Sequence, residues 1–338
     1  MGDKSPATLT IVILILGYGA SIFWLNNLQQ KSIAEARTKI ATLGDINQNS
    51  NINKLRIAKT KLPEAIAILE KTIQLPGVPL QPISREIVKL NFQLTAVERK
   101  LYLEEYGLTY LKVAKNSGMA AALLVQNPPH SVDTWYRARQ KWQEAINLLE
   151  TIPQESASYQ EAQAKLKVYR ENYQVITKRF ELAKQAIEIN NQAKQKMEKG
   201  NYQGAIQDLN QAIKLNPGLS EAYLSRGVAY SQQRKRIAAI ADFNQAIKIN
   251  PENAKAYYYR GDEYLQLRSR QKALQDFNQA IKIDPSNPKS YFNRGVVYYL
   301  LGNLSEARES FQQAAFLFGL DGDSENQKVA VDMVEKCQ

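Results

Sequence analysis

The second half of the chain repeats one pattern every 34 residues. Pro217, Pro251 and Pro285 are spaced at that interval. Each proline closes nearly the same word, AIQDLNQAIKLNP, AIADFNQAIKINP or ALQDFNQAIKIDP, and similar words follow it: AYLSRGVAY, AYYYRGDEY and SYFNRGVVY. A fixed period of this length is typical of stacked helical repeats, in which each unit buries its apolar face only against its neighbours.

The residue types at each repeat position fit a helical hairpin. Small residues recur where two helices must approach, large aromatic residues recur where space must be filled, and proline recurs where a helix must stop. The small positions are Gly227, Gly261 and Gly295 with Ala205, Ala239, Ala273 and Ala307, and the large ones are Phe243, Phe277 and Phe311. Two sets of charged residues recur at the same 34-residue interval: Arg226, Arg260 and Arg294, and Asp208, Asp242 and Asp276. We interpret them as members of structural ion pairs or of solvent-exposed faces.

This aromatic, Gly, Tyr, Ala, Phe and Pro pattern resembles the tetratricopeptide repeat (TPR) family. The resemblance implies an all-α fold with four TPR hairpins over 186–319, wound into a right-handed superhelix. The first hairpin departs from the pattern at Ala193 and Lys196, and the fourth has Gly319 where the closing proline is expected. Ser324 to Gln327 is typical of a capping box, which predicts a C-terminal capping helix within 320–338.

Residues 31–185 are predicted to form irregular helical hairpins that are partly TPR-like. The words EAIAILE at 64–70 and EAINLLE at 144–150 are similar to the second helices of the repeats. Long stretches without proline, at 83–114 and 158–199, favour long helices.

The N-terminal segment has no charged residue between Lys4 and Lys31. Ala7 to Leu25 is mostly apolar and approaches the roughly 20 residues that a bilayer-spanning helix needs, so residues 1–30 are predicted to be a single transmembrane anchor with the membrane as a partner. A cleaved signal peptide is the alternative. Basic residues between Asn27 and Lys61 outnumber acidic ones, which favours a cytoplasmic C-terminal part at a plasma or thylakoid membrane, with an extracytoplasmic location as the alternative.

The sequence offers little catalytic chemistry. It contains one histidine, His130, and one cysteine, Cys337, and no glycine-rich phosphate-binding motif. Asp321 to Glu325 is similar to a calcium loop, but Asn326 stands where the sharp turn needs glycine. We therefore expect no enzyme activity, no catalytic residue, no cofactor and no metal site. The net charge is +11, but its basic residues are dispersed, so no nucleic-acid partner is expected.

The first helix of each TPR hairpin lines the concave surface in the family. That resemblance implies a partner-binding groove for a helix or apolar segment of another protein. Its expected residues are Asn190, Lys194, Glu221, Leu224, Val228, Ser231, Lys255, Tyr258, Asp262, Leu265, Lys289, Phe292, Val296 and Tyr299. The clamp for a C-terminal carboxylate found in some family members is missing, because Leu224 and Val228 occupy polar clamp positions.

The amino-acid pattern of the repeats resembles that of bacterial, especially cyanobacterial, membrane-anchored TPR proteins. It predicts a membrane-anchored protein-protein interaction scaffold that assists assembly or docking of membrane protein complexes, including photosynthetic ones. The alternative is an extracytoplasmic TPR adaptor in envelope or secretion machinery. A third hypothesis, a hydrolase regulated by TPRs, is disfavoured by the missing catalytic residues. For the groove itself, the alternative is that these side chains only pack within the array.

Overall fold

A computed structural model describes residues 6–46, 50–75, 77–128 and 130–337, with side chains from residue 19 onward. These residues form thirteen α-helices. In chain order they are α1 Pro6–Ala41, α2 Ile52–Ile73, α3 Leu80–Leu124, α4 Val132–Glu150, α5 Tyr159–Glu198, α6 Tyr202–Leu215, α7 Ser220–Gln232, α8 Arg236–Ile249, α9 Ala254–Gln266, α10 Arg270–Ile283, α11 Pro288–Leu301, α12 Leu304–Leu320 and α13 Ser324–Glu335. The described chain is therefore all-helical, and the two long helices expected from the sequence are α3 and α5.

The fold divides into two units. One comprises the chain up to Asn116 together with Glu144–Tyr169, and the other comprises Ser117–Gln143 together with the chain from Arg170 onward. The boundaries fall within α3, α4 and α5. The finer limits proposed from the sequence, at 30, 185 and 319, remain predictions.

The predicted transmembrane helix at 7–25 is wrong. Among the residues that the structure describes, no helix is both long enough and apolar enough to cross a membrane. The side chains of 7–18, which make up most of the predicted span, lie outside the described part. The single-pass localisation inferred from that span is wrong with it.

The described second half of α1 belongs to a protein core. Leu25, from the end of the predicted span, packs against the apolar core that α1 shares with α2 and α3, and Ile33 and Ala36 are buried in it. Arg37 donates from Nε to Glu86 Oε1 at 3.1 Å. The charge-free segment thus continues, without a helix break, into a surface that packs against neighbouring helices.

The repeat hairpins occupy the second unit, and their small residues explain the tight pairing. A Cβ added to Gly227 would lie 2.5 Å from Cε1 of Phe243, so the aromatic ring takes the space that a side chain would need. Phe243 and Phe277 are fully buried. The last three hairpins therefore each close around a Gly–Phe contact between their two helices.

The turn inside each hairpin requires one left-handed residue. Gly200 and Gly302 have φ of 74° and 82°, whereas Arg234 and Arg268 adopt φ of 61° at the equivalent positions. The next residue donates its N–H to a carbonyl oxygen in the last helical turn, as Ser269 N does to Tyr264 O at 2.8 Å. This is a Schellman closure, and arginine pays a conformational cost where glycine does not.

The end of the array differs from the sequence prediction in two ways. α12 runs on to Leu320, three residues beyond its repeat equivalents, because no proline stops it. The last helix is capped by Asp323, whose side chain accepts from Asn326 N at 3.1 Å, rather than by Ser324. The predicted capping helix is thus present, with its N-cap shifted by one residue.

Candidate functional site

The predicted groove residues lie at equivalent positions on α5, α7, α9 and α11. The 34-residue period gives each first helix the same exposed and buried faces, so the set forms one face, which we call the groove face. Asn190 and Lys194 come from the last part of α5. Asn190 is buried, and Lys194 Nζ pairs with Glu221 Oε2 at 3.5 Å, so the first two hairpins are linked by charge at this edge.

The apolar groove residues are partly used inside the array. Leu224 is a core residue that packs, with Val228, around Phe243. Tyr258 and Leu265 pack partly buried against the cluster around Phe277.

The same packing continues in the last hairpin. Phe292 and Val296 are partly buried against the cluster around Phe311, and the rings of Phe292 and Phe311 meet edge-on at 5.4 Å. Tyr299, at 39% exposure, is the most open of the aromatic groove residues. The groove face therefore presents half-covered rings above a filled core.

Two groove lysines and a tyrosine meet at one cavity of about 310 Å³. Lys255, Tyr258 and Lys289 line it together with Phe318 and Asp323. Burial, followed by the charge of nearby Asp262, raises the pKa of Tyr258 to about 12. The phenol, which is neutral at physiological pH even at its ordinary pKa, can donate a hydrogen bond.

Asp262, one helical turn after Tyr258 on α9, is a half-buried carboxylate. Asn293 Nδ2 donates to Asp262 Oδ1 at 3.4 Å. Burial raises the pKa of Asp262, the charge of Glu263 raises it further, and Arg236 opposes both. The middle of the groove face thus holds a carboxylate that is incompletely compensated.

Glu263 is a polar core residue that was not predicted from the sequence. It is 1% exposed, it accepts from the hydroxyl of Ser231, and Arg236 Nη1 donates to it at 3.4 Å. Its equivalents in the two neighbouring hairpins are Ala229 and Val297, and in the first hairpin Gln195. A charged residue between hairpins that have a small or apolar residue at this position was the signal that could have identified it.

The repeated Arg and Asp residues form ion pairs, as interpreted from the sequence. Arg226 donates to both carboxylate oxygens of Asp242 at 2.8 and 2.7 Å, and its third N–H reaches Asn210 of the preceding hairpin at 2.7 Å. Arg260 repeats this arrangement. At the ends the pattern changes: Asp208 pairs with Lys196, and Arg294 donates to Ser310. We call this set the arginine ladder, and it ties each hairpin to the one before it.

Metal ligands are not concentrated anywhere in the described ranges. No group of three or more His, Cys, Asp or Glu side chains there could hold a metal ion. Cys337 is buried.

The repeats match known sequence profiles. The TPR repeat profile matches residues 193–233 and 261–302, and tetratricopeptide repeat profiles match 220–253 and 288–319. No curated protein matches the chain.

Several solved structures are similar to part of the chain. The Arabidopsis OM64 TPR domain is 32% identical over 35% of this chain and 94% of that domain, with a TM-score of 0.32. The MamA structure (41-end) from Desulfovibrio magneticus RS-1 is 18% identical over 45% of this chain and 92% of that chain, with a TM-score of 0.37. The TPR2B domain of yeast Sti1, in a pHsp70 complex, is 21% identical over 35% of this chain and 94% of that chain, with a TM-score of 0.34. Residues 193–319 are therefore tetratricopeptide repeats.

Proposed function

We propose that the chain is a docking scaffold whose groove face binds an amphipathic helix of another protein. Stacked helical repeats form extended concave surfaces suited to this role. The single observation that carries the proposal is the half-buried carboxylate of Asp262, set among the partly covered apolar side chains Tyr258, Leu265 and Phe292.

The charges on the groove face specify the partner. Lys255 is exposed at the start of α9, and Asp262 lies seven residues further along the same helix. At 1.5 Å per residue, the two groups are separated by about 10 Å along the helix axis. A complementary helix therefore carries an acidic and a basic side chain about seven residues apart, with apolar residues between them on the same face.

The desolvation of Asp262 favours a charged contact over a purely apolar one. Burial has already removed part of the hydration of this carboxylate, and its neighbours compensate it only in part. An incoming Lys or Arg side chain would supply the missing charge-assisted hydrogen bond. Such contacts improve specificity as well as affinity.

The role in the cell that we propose is assembly or docking of protein complexes. The support is the resemblance of the repeat words to bacterial TPR proteins that assist assembly. The partner, rather than a reaction, would then define what the protein does.

Site-specific photocrosslinking tests the groove face. A benzoylphenylalanine replaces Tyr258 in one variant and Tyr257 in a matched control; Tyr257 packs against Arg260 of the arginine ladder instead. We expect position 258 to crosslink one recurrent helical segment with the predicted charge spacing, and position 257 not to do so. Equal crosslinking from both positions would refute the proposal.

A synthetic peptide of the crosslinked segment then tests the charges by calorimetry. Asp262→Asn should weaken binding about tenfold, which corresponds to about 1.4 kcal/mol, and Lys255→Glu should weaken it similarly. Lys282→Glu, which removes an exposed lysine from the second helix of the hairpin, should leave binding unchanged. A segment without a basic residue, or one indifferent to Asp262→Asn, contradicts the proposed mode.

A further inference from the structure

A cavity of about 450 Å³ lies within the second unit, where the chain before α4 meets the turn between α6 and α7. Its volume is in the range of sites for small molecules, about 300–1,000 Å³. The lining residues that matter here are His130, Trp135, Arg179, Asn216, Tyr223 and Gln245. None of them belongs to the groove face, so a ligand in this cavity is independent of the proposed function.

Two residues of this lining bury polar nitrogens that have no hydrogen-bond partner within the described structure. They are Nε2 of His130 and Nδ2 of Asn216. The two residues are only 9% and 4% exposed. Because native proteins pair nearly all buried polar groups, two orphaned nitrogens around one cavity point to a polar ligand. Asn216 Nδ2 can only donate, so that ligand supplies an acceptor.

The geometry fixes both residues in place. Asn216 Oδ1 accepts from Gly218 N at 3.0 Å, which orients the amide so that its Nδ2 is the atom left over. The ring of His130 packs edge-on against Trp135 at 4.9 Å. A Cβ on Gly218 would lie 2.4 Å from the carbonyl oxygen of His130, so only glycine permits this close approach.

The lining favours an anion. Arg179 contributes a guanidinium group, Asn216 and Gln245 contribute amide donors, and the lining includes neither Asp nor Glu. A guanidinium fork matches the two oxygens of a carboxylate. Trp135 and Tyr223 add aromatic surface that suits a flat apolar body.

We propose that this cavity binds a carboxylate attached to a flat apolar group. Arg179 and Asn216 Nδ2 donate to the carboxylate oxygens, and Trp135 and Tyr223 contact the apolar part. This chemistry occurs both in free aromatic acids and at a peptide C-terminus that ends in an aromatic residue.

The first experiment measures, by calorimetry, how tightly four probes bind to the full chain. They are phenylacetate, its neutral isostere phenylacetamide, N-acetyl-Ala-Ala-Phe with a free carboxylate, and the C-terminal amide of that peptide. We expect at least one acid to bind with a Kd of about 1 mM or tighter, as befits a ligand of this size, and its amide to bind at least about tenfold more weakly.

Which of the probes bind identifies the source of the carboxylate, a free aromatic acid or a peptide C-terminus. Binding of phenylacetate assigns a small aromatic acid, whereas binding of the peptide acid alone assigns a chain terminus. Acids and amides that bind equally well would overturn the assignment of an anion. A cavity in which neither acid saturates would hold water only, and the proposal would be wrong.

Variants with in-chain controls locate the site. Asn216→Asp keeps the oxygen that accepts from Gly218 but replaces Nδ2 by a carboxylate oxygen. The fold tolerates Asp in this turn, because Asp284 occupies the equivalent position and accepts from Ser286 N at 3.1 Å. The control is Asn250→Asp in the intervening repeat, where Asn250 accepts from Glu252 N at 3.1 Å.

We expect Asn216→Asp to weaken binding of the acid at least about tenfold and Asn250→Asp to leave it unchanged. Likewise, Arg179→Gln should weaken binding, whereas Lys178→Gln, which removes the neighbouring charge outside the lining, should not. If each variant and its control behave alike, the acid binds elsewhere and the proposal fails.

Discussion

The arginine ladder makes a quantitative prediction for Asp276→Asn. Arg260 donates to both carboxylate oxygens of Asp276, at 2.8 and 2.6 Å, and to Asn244 at 2.6 Å. The side chains of the pair are only 19% and 7% exposed. Asparagine keeps the size and one acceptor but loses the charge and one hydrogen bond.

The expected loss in the free energy of local unfolding is about 2–3 kcal/mol. A hydrogen bond to a charged group contributes about 1.5–3 kcal/mol, and breaking a buried pair outright costs about 3–5 kcal/mol. Because asparagine retains one acceptor oxygen, the expected loss is no larger than the lower end of the range for a broken buried pair. Since 1.4 kcal/mol is a factor of ten, amides of α9 and α10 should exchange hydrogen about 30- to 150-fold faster.

Hydrogen exchange read by mass spectrometry measures this effect segment by segment. Glu64→Gln is the control, because Glu64 lies 3.9 Å from Lys39 and both side chains are about half exposed; such surface pairs contribute at most about 1 kcal/mol. If Asp276→Asn accelerates exchange in α9 and α10 no more than Glu64→Gln does in α2, the ladder does not stabilise the array and the reasoning is wrong.

Three further changes test other parts of the array. Arg268→Gly relieves a left-handed arginine and should stabilise the protein by up to about 1 kcal/mol in urea denaturation, whereas a destabilised variant would show that the turn carries no strain. Ser310→Asp gives Arg294 the carboxylate that its repeat equivalents have and should slow exchange in α11 and α12; unchanged exchange would contradict the pairing. For Asp262, burial raises the pKa above its ordinary value of 3.8, so ionisation costs stability at neutral pH. The wild type should therefore gain stability relative to Asp262→Asn as the pH falls through the raised pKa towards 3.8, and a pH-independent difference in urea midpoints would refute this.

The sequence alone determined the helical repeat. A 34-residue period with Gly227, Phe243 and Pro251 at fixed offsets leaves few alternatives to stacked hairpins, because each residue type answers a local demand for close approach, filling or termination. The pairing of the repeated Arg and Asp residues could be anticipated for the same reason. Long stretches without proline likewise marked α3 and α5.

The N-terminal prediction failed because local apolar character is ambiguous. A charge-free stretch predicts a membrane span only if nothing else covers it. Leu25, at the end of the predicted span, packs against a core with α2 and α3 to which Ile33 and Ala36, beyond the span, also belong. Most of its partners in that core are tens of residues away in sequence, so no local pattern marks the contact.

Tertiary structure alone decided which polar residues are buried and what they face. Glu263 acquires its surroundings from Ser231 and Arg236 of another hairpin. The cavity joins His130 to Asn216 across more than eighty residues of sequence. The sequence therefore determined the repeating scaffold, whereas desolvation and long-range contact, which exist only in the folded chain, decided where that scaffold could bind.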